Sequence, residues 1–126
     1  MNRSISIKSL RPHIAGLKVG DEMSEAELFQ NEVLRPILKY QNELLSALFF
    51  GGLGKREIDF SKMNIQGKLE YVTRIVQKDI GLRNVLIGSV VGMMDIDEIL
   101  SYYKYETEYR RRISKMIIER LGDQLS

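Results

Sequence analysis

The sequence predicts an all-α protein, built as a bundle of about four helices behind an N-terminal arm. Apolar residues recur at the three- and four-residue spacing of a helix face, capping residues stand at the start of these stretches, and short joins separate them. The expected helices cover roughly residues 25–50, 65–78, 80–94 and 96–121. Residues 1–23 are expected to form an irregular or short-strand arm, and residues 24–126 a single helical domain.

The first helix begins at a capping box. Ser24 is followed three residues later by Glu27, so each side chain can bond a backbone amide of the first turn. On a helical wheel the apolar residues of this segment fall on one broad arc and the charged residues on the opposite one. Pro36 cannot donate to the carbonyl of Glu32, so we expect a kink there or a short break before it. The sequence GGLG (51–54) should end the helix.

Three further helices follow a connector at residues 51–63. The second helix carries on one face Ile65, Leu69, Val72, Ile75 and Val76. Asp79 can cap the third helix, and Asp95 with Glu98 repeats the capping-box spacing at the start of the fourth. Gly122 stands just beyond the expected end of the fourth helix. Joins this short favour a bundle of neighbouring helices.

Composition fits an ordinary folded protein and removes several classes of site. The chain has 126 residues, a net charge of +2 and no cysteine, so disulfides and thiolate metal sites are excluded.

In the arm, Ile5 and Ile7 alternate with polar neighbours, which fits a short strand or an arm packed on the bundle. The arm lacks the continuous apolar run of a signal peptide, so we expect a cytoplasmic protein with no membrane partner.

The segment DIGLRNVLIGSVVGMMDIDE (79–98) holds ten consecutive small or apolar residues. It lacks the Gly-Lys-Ser/Thr sequence of a phosphate-binding loop, and it is shorter than the about 20 apolar residues that a transmembrane helix needs. We interpret it as a buried helix that is apolar on all sides. Gly81, Gly88 and Gly92 share one face, which suggests close approach of another backbone, from helix one, helix four or a second copy of the chain.

The sequence YRRRI (109–113) raises the question of nucleic-acid binding. On the wheel, Arg111 and Arg112 project to a solvent face of mixed charge, together with Lys104, Glu108, Lys115 and Glu119. Arg110 projects to the opposite, mainly apolar side. The three side chains are therefore not expected to form one basic patch, and we do not expect a nucleic-acid partner.

Polar residues interrupt the apolar stripe of the fourth helix. Glu106 and Arg110 have the i,i+4 spacing of a favourable ion pair. Either this stretch emerges into solvent, or it forms a partly buried polar pocket that can hold a small anion or a polar group of a partner. The candidate ligand-binding residues are Glu106, Arg110, Tyr103 and Thr107, together with Arg83 and Asn84 at the head of the third helix.

The sequence contains no recognisable catalytic or metal-binding constellation. His13 is the one histidine, and it lies in the arm after Pro12. The Glu-x-x-His pairs of a di-iron bundle and the Gly-x-Ser-x-Gly of a serine hydrolase are both missing. We therefore predict no catalytic residue, metal or cofactor.

Three segments carry a resemblance to a known family. They are ELFQNEVLRPILKYQNELL (27–45), QKDIGLRNVLIG (77–88) and RRISKMIIERL (111–121). With them the chain resembles a family of short bacterial α-helical proteins of unknown function, some of which carry the label glyoxalase. Metal-dependent glyoxalases use a βαβββ fold with His and Glu metal ligands, so a helical chain with one histidine does not support that label.

Three functions are compatible with these features. The first is a small interaction or scaffold module that self-associates or binds a protein partner, favoured by the apolar helices and the lack of a chemical constellation. The second is a small-ligand-binding protein or an unconventional enzyme that uses the polar residues around Glu106 and Arg110. The third is weak, salt-sensitive nucleic-acid binding.

Overall fold

The computed structural model describes residues 2–14, 16, 23–53 and 59–125, and none of these residues forms a β-strand. Its α-helices are α1 (Arg3–Ser9), α2 (Glu25–Phe29), α3 (Arg35–Tyr40), α4 (Asn42–Phe50), α5 (Ile65–Lys78), α6 (Ile80–Val91), α7 (Ile96–Lys104) and α8 (Glu106–Asp123). The all-α prediction is confirmed, whereas the count of about four helices and the strand-like arm are wrong. Within these ranges no helix is long and apolar enough to cross a membrane.

The first predicted helix, 25–50, is divided near Pro36. A π-helical segment, Gln30–Leu34, joins α2 to α3 directly before this proline. Because Pro36 has no N–H to donate to the carbonyl of Glu32, the regular ladder cannot continue, and the wider turn takes up the interruption. The expected break before Pro36 is therefore present as a π-helical turn.

A second break, at Gln41, separates α3 from α4 and was not expected from the sequence. The Gln41 side chain donates from Nε2 to the carbonyl oxygen of Ser89 in α6, at 2.9 Å. This bond ties the break to a neighbouring helix. Gly51 follows the last residue of α4, as the GGLG sequence predicted, while Gly54 lies outside the described residues.

The last predicted helix, 96–121, is divided at Tyr105. The backbone of Tyr105 has φ −135° and ψ 48°, which is not helical, and its N–H donates to the carbonyl of Tyr102. No glycine or proline marks this position. Tyr102 and Tyr109, on either side of the break, are both buried in the core, so we attribute the break to tertiary packing.

The N-terminal arm contains a helix, α1, rather than a strand. The Asn2 side chain accepts a hydrogen bond from the N–H of Ile5 and caps the helix. Ile7 is buried, and Arg3 donates to the carbonyls of Gly92 and Met94 at the end of α6. The alternation of two isoleucines was too short a pattern to identify a strand, and contacts with α6 and α7 favour the helix instead.

The predicted helix starts are confirmed by their caps. The side chains of Ser24 and Asp79 each accept a hydrogen bond from the amide three residues on. Asp95 and Glu98 form a reciprocal capping box at the start of α7. Asn64 caps α5 in the same way, a cap that the sequence reading missed.

The core is formed mainly by helices α3 to α8. α8 lies against α4, α5 and α6, and α5 lies against α6. The fully buried apolar side chains include Leu34, Ile37, Leu38, Leu45, Phe49, Val72, Val76, Leu86, Ile87, Val90, Ile113, Ile117 and Leu121. This packing brings α5, α6 and α8 side by side.

Helix α6 is buried on one side only, so the prediction of a helix buried on all sides is wrong. Leu86, Ile87 and Val90 face the core, while Val85 is 52% exposed. A Cβ built on Gly88 would meet no atom within 4 Å in the described structure. Neither helix one nor helix four approaches Gly88 in the described structure, and the packing of a second copy on the glycine face stays a prediction.

Candidate functional site

An open cavity of about 740 Å³ lies between helices α5, α6 and α8. α5 contributes Thr73 and Gln77, and α6 contributes Arg83 and Ile87. α8 contributes the rest of the lining, from Thr107 to Glu119. We call this cavity the α5–α6–α8 groove.

The α8 side of the groove follows from the helical repeat. The lining residues are Thr107, Arg110, Arg111, Ser114, Lys115, Ile118 and Glu119. Their spacing of three or four residues places them on one face, about 18 Å long at 1.5 Å per residue. The opposite face carries apolar residues that are buried in the core, such as Ile113 and Ile117. α8 is thus anchored by one face and presents the other to the groove.

The groove combines positive charge with an apolar wall. Among the described residues, four basic side chains line it, and Glu119 is the one acidic side chain that does so. Ile87 is 1% exposed and Ile118 is half-buried. Sites that bind small molecules commonly combine such an apolar wall with a few convergent polar groups, in a volume of roughly 300–1,000 Å³.

Arg110 is positioned by two neutral groups. Its Nη2 donates to Oδ1 of Asn84 at 2.6 Å, and its Nη1 donates to the hydroxyl oxygen of Tyr102 at 3.5 Å. Burial raises the pKa of Tyr102, while Arg110 acts to lower it. The Tyr102 hydroxyl therefore stays protonated at neutral pH and gives Arg110 no negative charge.

Arg83 is held by the end of the preceding helix. Its Nη1 donates to the carbonyl oxygen of Gln77 at 2.8 Å. Asp79, between the two, caps the first turn of α6. The bond to Gln77 holds the Arg83 guanidinium beside the join between α5 and α6. Because Arg110 bonds the next residue of α6, Asn84, both arginines lie at this end of the groove.

The three arginines of the YRRRI sequence have different partners. Arg111 and Arg112 both donate to the carboxylate of Glu108, and Arg112 also reaches Gln30. These bonds, first from Arg112 and then from Arg111, lower the pKa of Glu108. Arg111 also lines the groove next to Arg110. Arg110 and Arg111 were expected to project to opposite sides of the helix, but the structure places both at the groove.

The predicted ligand-binding residues lie partly at this groove. Arg83, Thr107 and Arg110 line it, and Asn84 holds the Arg110 guanidinium. Tyr103 is 62% exposed on α7, with its ring edge-on to that of Tyr102. The structure thus brings four of the six residues together.

The expected Glu106–Arg110 ion pair is not formed in the described structure. Glu106 is the first residue of α8, directly after the break at Tyr105, and it is exposed. Arg110 instead bonds Asn84 and Tyr102. Because α6 supplies a better-placed acceptor, tertiary contact prevails over the weak pairing expected within one helix.

Sequence reasoning missed the α5 side of the groove. Thr73 and Gln77 have i,i+4 spacing, which places them on one polar face of α5. Lys115 and Glu119 were interpreted as part of a solvent face. The spacing was visible in the sequence, but nothing in it indicated that these two faces meet.

Other kinds of site find no support. Among the described residues, no three His, Cys, Asp or Glu side chains are grouped closely enough to hold a metal ion.

No protein-family model, curated protein or solved structure matches this chain. The resemblance to short bacterial helical proteins therefore stays a prediction.

Proposed function

We propose that the protein binds a small anionic ligand in the α5–α6–α8 groove. The observation that supports this most directly is the charge of the groove lining, in which the described residues include four basic side chains and one acidic side chain. Such an excess of positive charge in a concave site attracts anions and raises their local concentration. The apolar wall at Ile87 and Ile118 favours a ligand that also has an uncharged body.

The shape of the groove also favours a small molecule over nucleic acid. The basic residues converge on one cavity between three helices, whereas a duplex requires a stripe of contacts along its phosphates. Arg112 lies outside the groove and bonds Glu108 and Gln30. The proposal includes a cytoplasmic location, which the absence of cysteine supports.

A charge-reversal experiment tests this function. The fluorescent dye anilinonaphthalene sulfonate has the expected chemistry, an anionic group on an apolar body. We expect Lys115→Glu to weaken its binding about tenfold, because reversing one nearby charge costs roughly 1–2 kcal/mol near a protein surface. Lys39→Glu is the matched control, since Lys39 is exposed on α3 and does not line the groove.

Dye fluorescence measures the affinity, and circular dichroism confirms that both variants are folded. The proposal predicts that Lys39→Glu binds the dye like the wild type. Equal affinity of all three proteins for the dye would contradict it.

Self-association is the second candidate function, and α7 provides its support. Ile96, Leu100 and Tyr103 form a stripe on this helix, and each is more than 60% exposed. Exposed apolar residues that line up on one helix face commonly mark an interaction surface. We propose that a second copy of the chain covers this stripe, with light scattering as the test.

A further inference from the structure

The two arginines at one end of the groove carry positive charges that no carboxylate among the described residues neutralises. Arg83 donates to the backbone carbonyl of Gln77, and Arg110 donates to Asn84 and Tyr102. All three acceptors are uncharged. Within the described part of the chain, neither arginine forms an ion pair with a carboxylate, although both side chains are partly buried.

Some other arginines of this fold are neutralised by a carboxylate, whereas Arg3 and Arg120, like Arg83 and Arg110, donate to uncharged oxygens. Nη1 of Arg11 donates to Glu98 at 2.7 Å, and Nε of Arg112 donates to Glu108 at 2.8 Å. Arg111, the groove neighbour of Arg110, also pairs with Glu108. The bonds of Arg83 and Arg110 therefore orient the two guanidinium groups and leave their charge available.

Glu108 is occupied by Arg111 and Arg112, and the other acidic residues of α8 near Arg110 do not change this balance. Glu106 lies one turn before Arg110 and makes no ion pair with it in the described structure. Glu119 lies nine residues beyond Arg110, about 13 Å along the helix axis, which is too far for direct pairing. Within the described residues, the charges of Arg83 and Arg110 thus remain unpaired at one end of a groove that also carries Arg111, Lys115 and Glu119.

We propose that the ligand is a phosphomonoester, with its phosphoryl group between Arg83 and Arg110 and its ester body along Ile87 and Ile118, an inference that rests on the proposed function. A phosphomonoester carries about two negative charges at neutral pH and accepts paired hydrogen bonds from guanidinium groups. It can neutralise both arginines, whereas a carboxylate or a sulfate ester neutralises one. Ser114 and Thr73 also line the groove. The Thr73 hydroxyl donates to the carbonyl oxygen of Leu69, so its oxygen can accept a hydrogen bond from a polar group of the body.

Two small probes of similar shape and different charge show how the affinity depends on the charge of the ligand. Phenyl phosphate and phenyl sulfate have the same aromatic body and a tetrahedral head, but at pH 8 the phosphate carries one more negative charge. We expect the wild-type protein to bind phenyl phosphate at least about tenfold more tightly, since one further charge-assisted interaction contributes roughly 1.5–3 kcal/mol. Isothermal titration calorimetry gives both affinities, and amide NMR shifts report whether the probes occupy the groove.

Two arginine variants test which charges produce this preference. In Arg83→Gln one uncompensated charge remains, so the preference for phosphate over sulfate should fall below about threefold. Arg112→Gln is the matched control, because Arg112 lies on the same helix and pairs with Glu108 but does not line the groove. This variant should keep the wild-type preference.

The outcomes separate this inference from the proposed function. If both probes bind in the groove with equal affinity, the protein binds anions there but the phosphomonoester assignment is overturned. If neither probe shifts groove amides, both the assignment and the proposed function are overturned. Because the first comparison uses the wild-type protein, it does not depend on the folding of any variant.

Discussion

The carboxylate of Asp95 is the point at which α1 and α7 are joined. Asp95 is 3% exposed, accepts a hydrogen bond from the N–H of Glu98, and contacts both Ser4 and Lys8 of α1. The Glu98 amide, followed by the Lys8 ammonium and the Ser4 hydroxyl, lowers the pKa of Asp95 from its ordinary value of 3.8 to about 2. A buried carboxylate with these partners stabilises the folded state in its charged form.

Replacing Asp95 by Asn should destabilise the protein by about 1–2 kcal/mol at pH 7. Asn caps a helix as well as Asp does, so the change removes the charge and keeps the cap. Because the folded pKa is lower than the unfolded one, the contribution is complete above about pH 5 and is lost as the pH falls through 4 towards 2. Urea unfolding of both proteins between pH 7 and pH 2 measures the difference, which should shrink over that range.

Glu43→Gln is the matched control, since Glu43 is an exposed carboxylate in the first turn of α4. Its removal should change the free energy of unfolding by less than about 0.5 kcal/mol. A difference between wild type and Asp95→Asn that stays constant down to pH 2 would contradict the assigned role of the charge.

The sequence predicted individual site residues better than their partners. Arg110 was selected because it interrupts an apolar stripe, and the structure does place it at the groove. Its expected partner was Glu106, four residues away, but it bonds Asn84, which is 26 residues away. Spacing within one helix reveals local neighbours, whereas competition from another helix depends on packing that spacing does not encode.

At the scale of elements, α6 shows why an apolar helix need not be buried. Its Leu86, Ile87 and Val90 fill the core, but Gly81 and Gly88 on the other side are exposed. Glycine adds little apolar surface, so an uncharged face made largely of small residues can remain open to solvent. The pattern alone could not distinguish this face from a buried one.

Gly88→Ala should stabilise α6 by about 0.5–1 kcal/mol, because alanine restricts the unfolded chain and favours the helix. The added Cβ would meet no atom within 4 Å, so no steric cost offsets the gain. Gly67→Ala is the matched control, since its Cβ would lie 3.1 Å from Oδ1 of the capping residue Asn64. This variant should gain less stability than Gly88→Ala. Urea unfolding at low micromolar protein concentration measures both, and a destabilised Gly88→Ala would contradict an open face.

The element boundaries were predictable where local chemistry sets them. Asp79 and Asp95 cap their helices as the sequence indicated, because a side chain bonding an amide three residues on is a local interaction. The breaks at Gln41 and Tyr105 were not predictable. Gln41 bonds α6, and Tyr105 lies between two buried tyrosines, so both breaks depend on residues distant in the sequence.

At the scale of the whole molecule, the groove exists because three helices lie side by side. Thr107 and Arg110 could be selected from the periodicity of α8 alone. Thr73 and Gln77 could not, because their place opposite α8 is decided by the packing of α5 on α6 and α8. A helix wheel thus identifies which face of a helix is unusual, and only the fold identifies what that face meets.

The exposed stripe of α7 predicts an antiparallel pairing of two copies. Ile96, Leu100 and Tyr103 have the spacing of one helix face. Asp97 and Lys104 lie on the same flank at opposite ends of α7, so a two-fold axis would place each Asp97 near Lys104 of the second copy. Both charged side chains are exposed. Lys104 makes a long contact with Glu25, at 3.6 Å, and its Nζ lies 5.3 Å from the centre of the Tyr105 ring. Such a dimer would cover the apolar stripe and place Asp97 of each copy beside the oppositely charged Lys104 of the other.

We expect the wild-type protein to be a dimer in light scattering at about 100 µM, and Leu100→Glu to be a monomer. A glutamate at the centre of the stripe would be buried without a partner on pairing, at a cost of several kcal/mol, which exceeds what so small an interface can offset. Leu44→Glu is the matched control, because Leu44 is 43% exposed on α4, away from this stripe, and it should remain dimeric. A monomeric wild type, or a Leu100→Glu variant that still dimerises, would show that α7 is not the interface between copies.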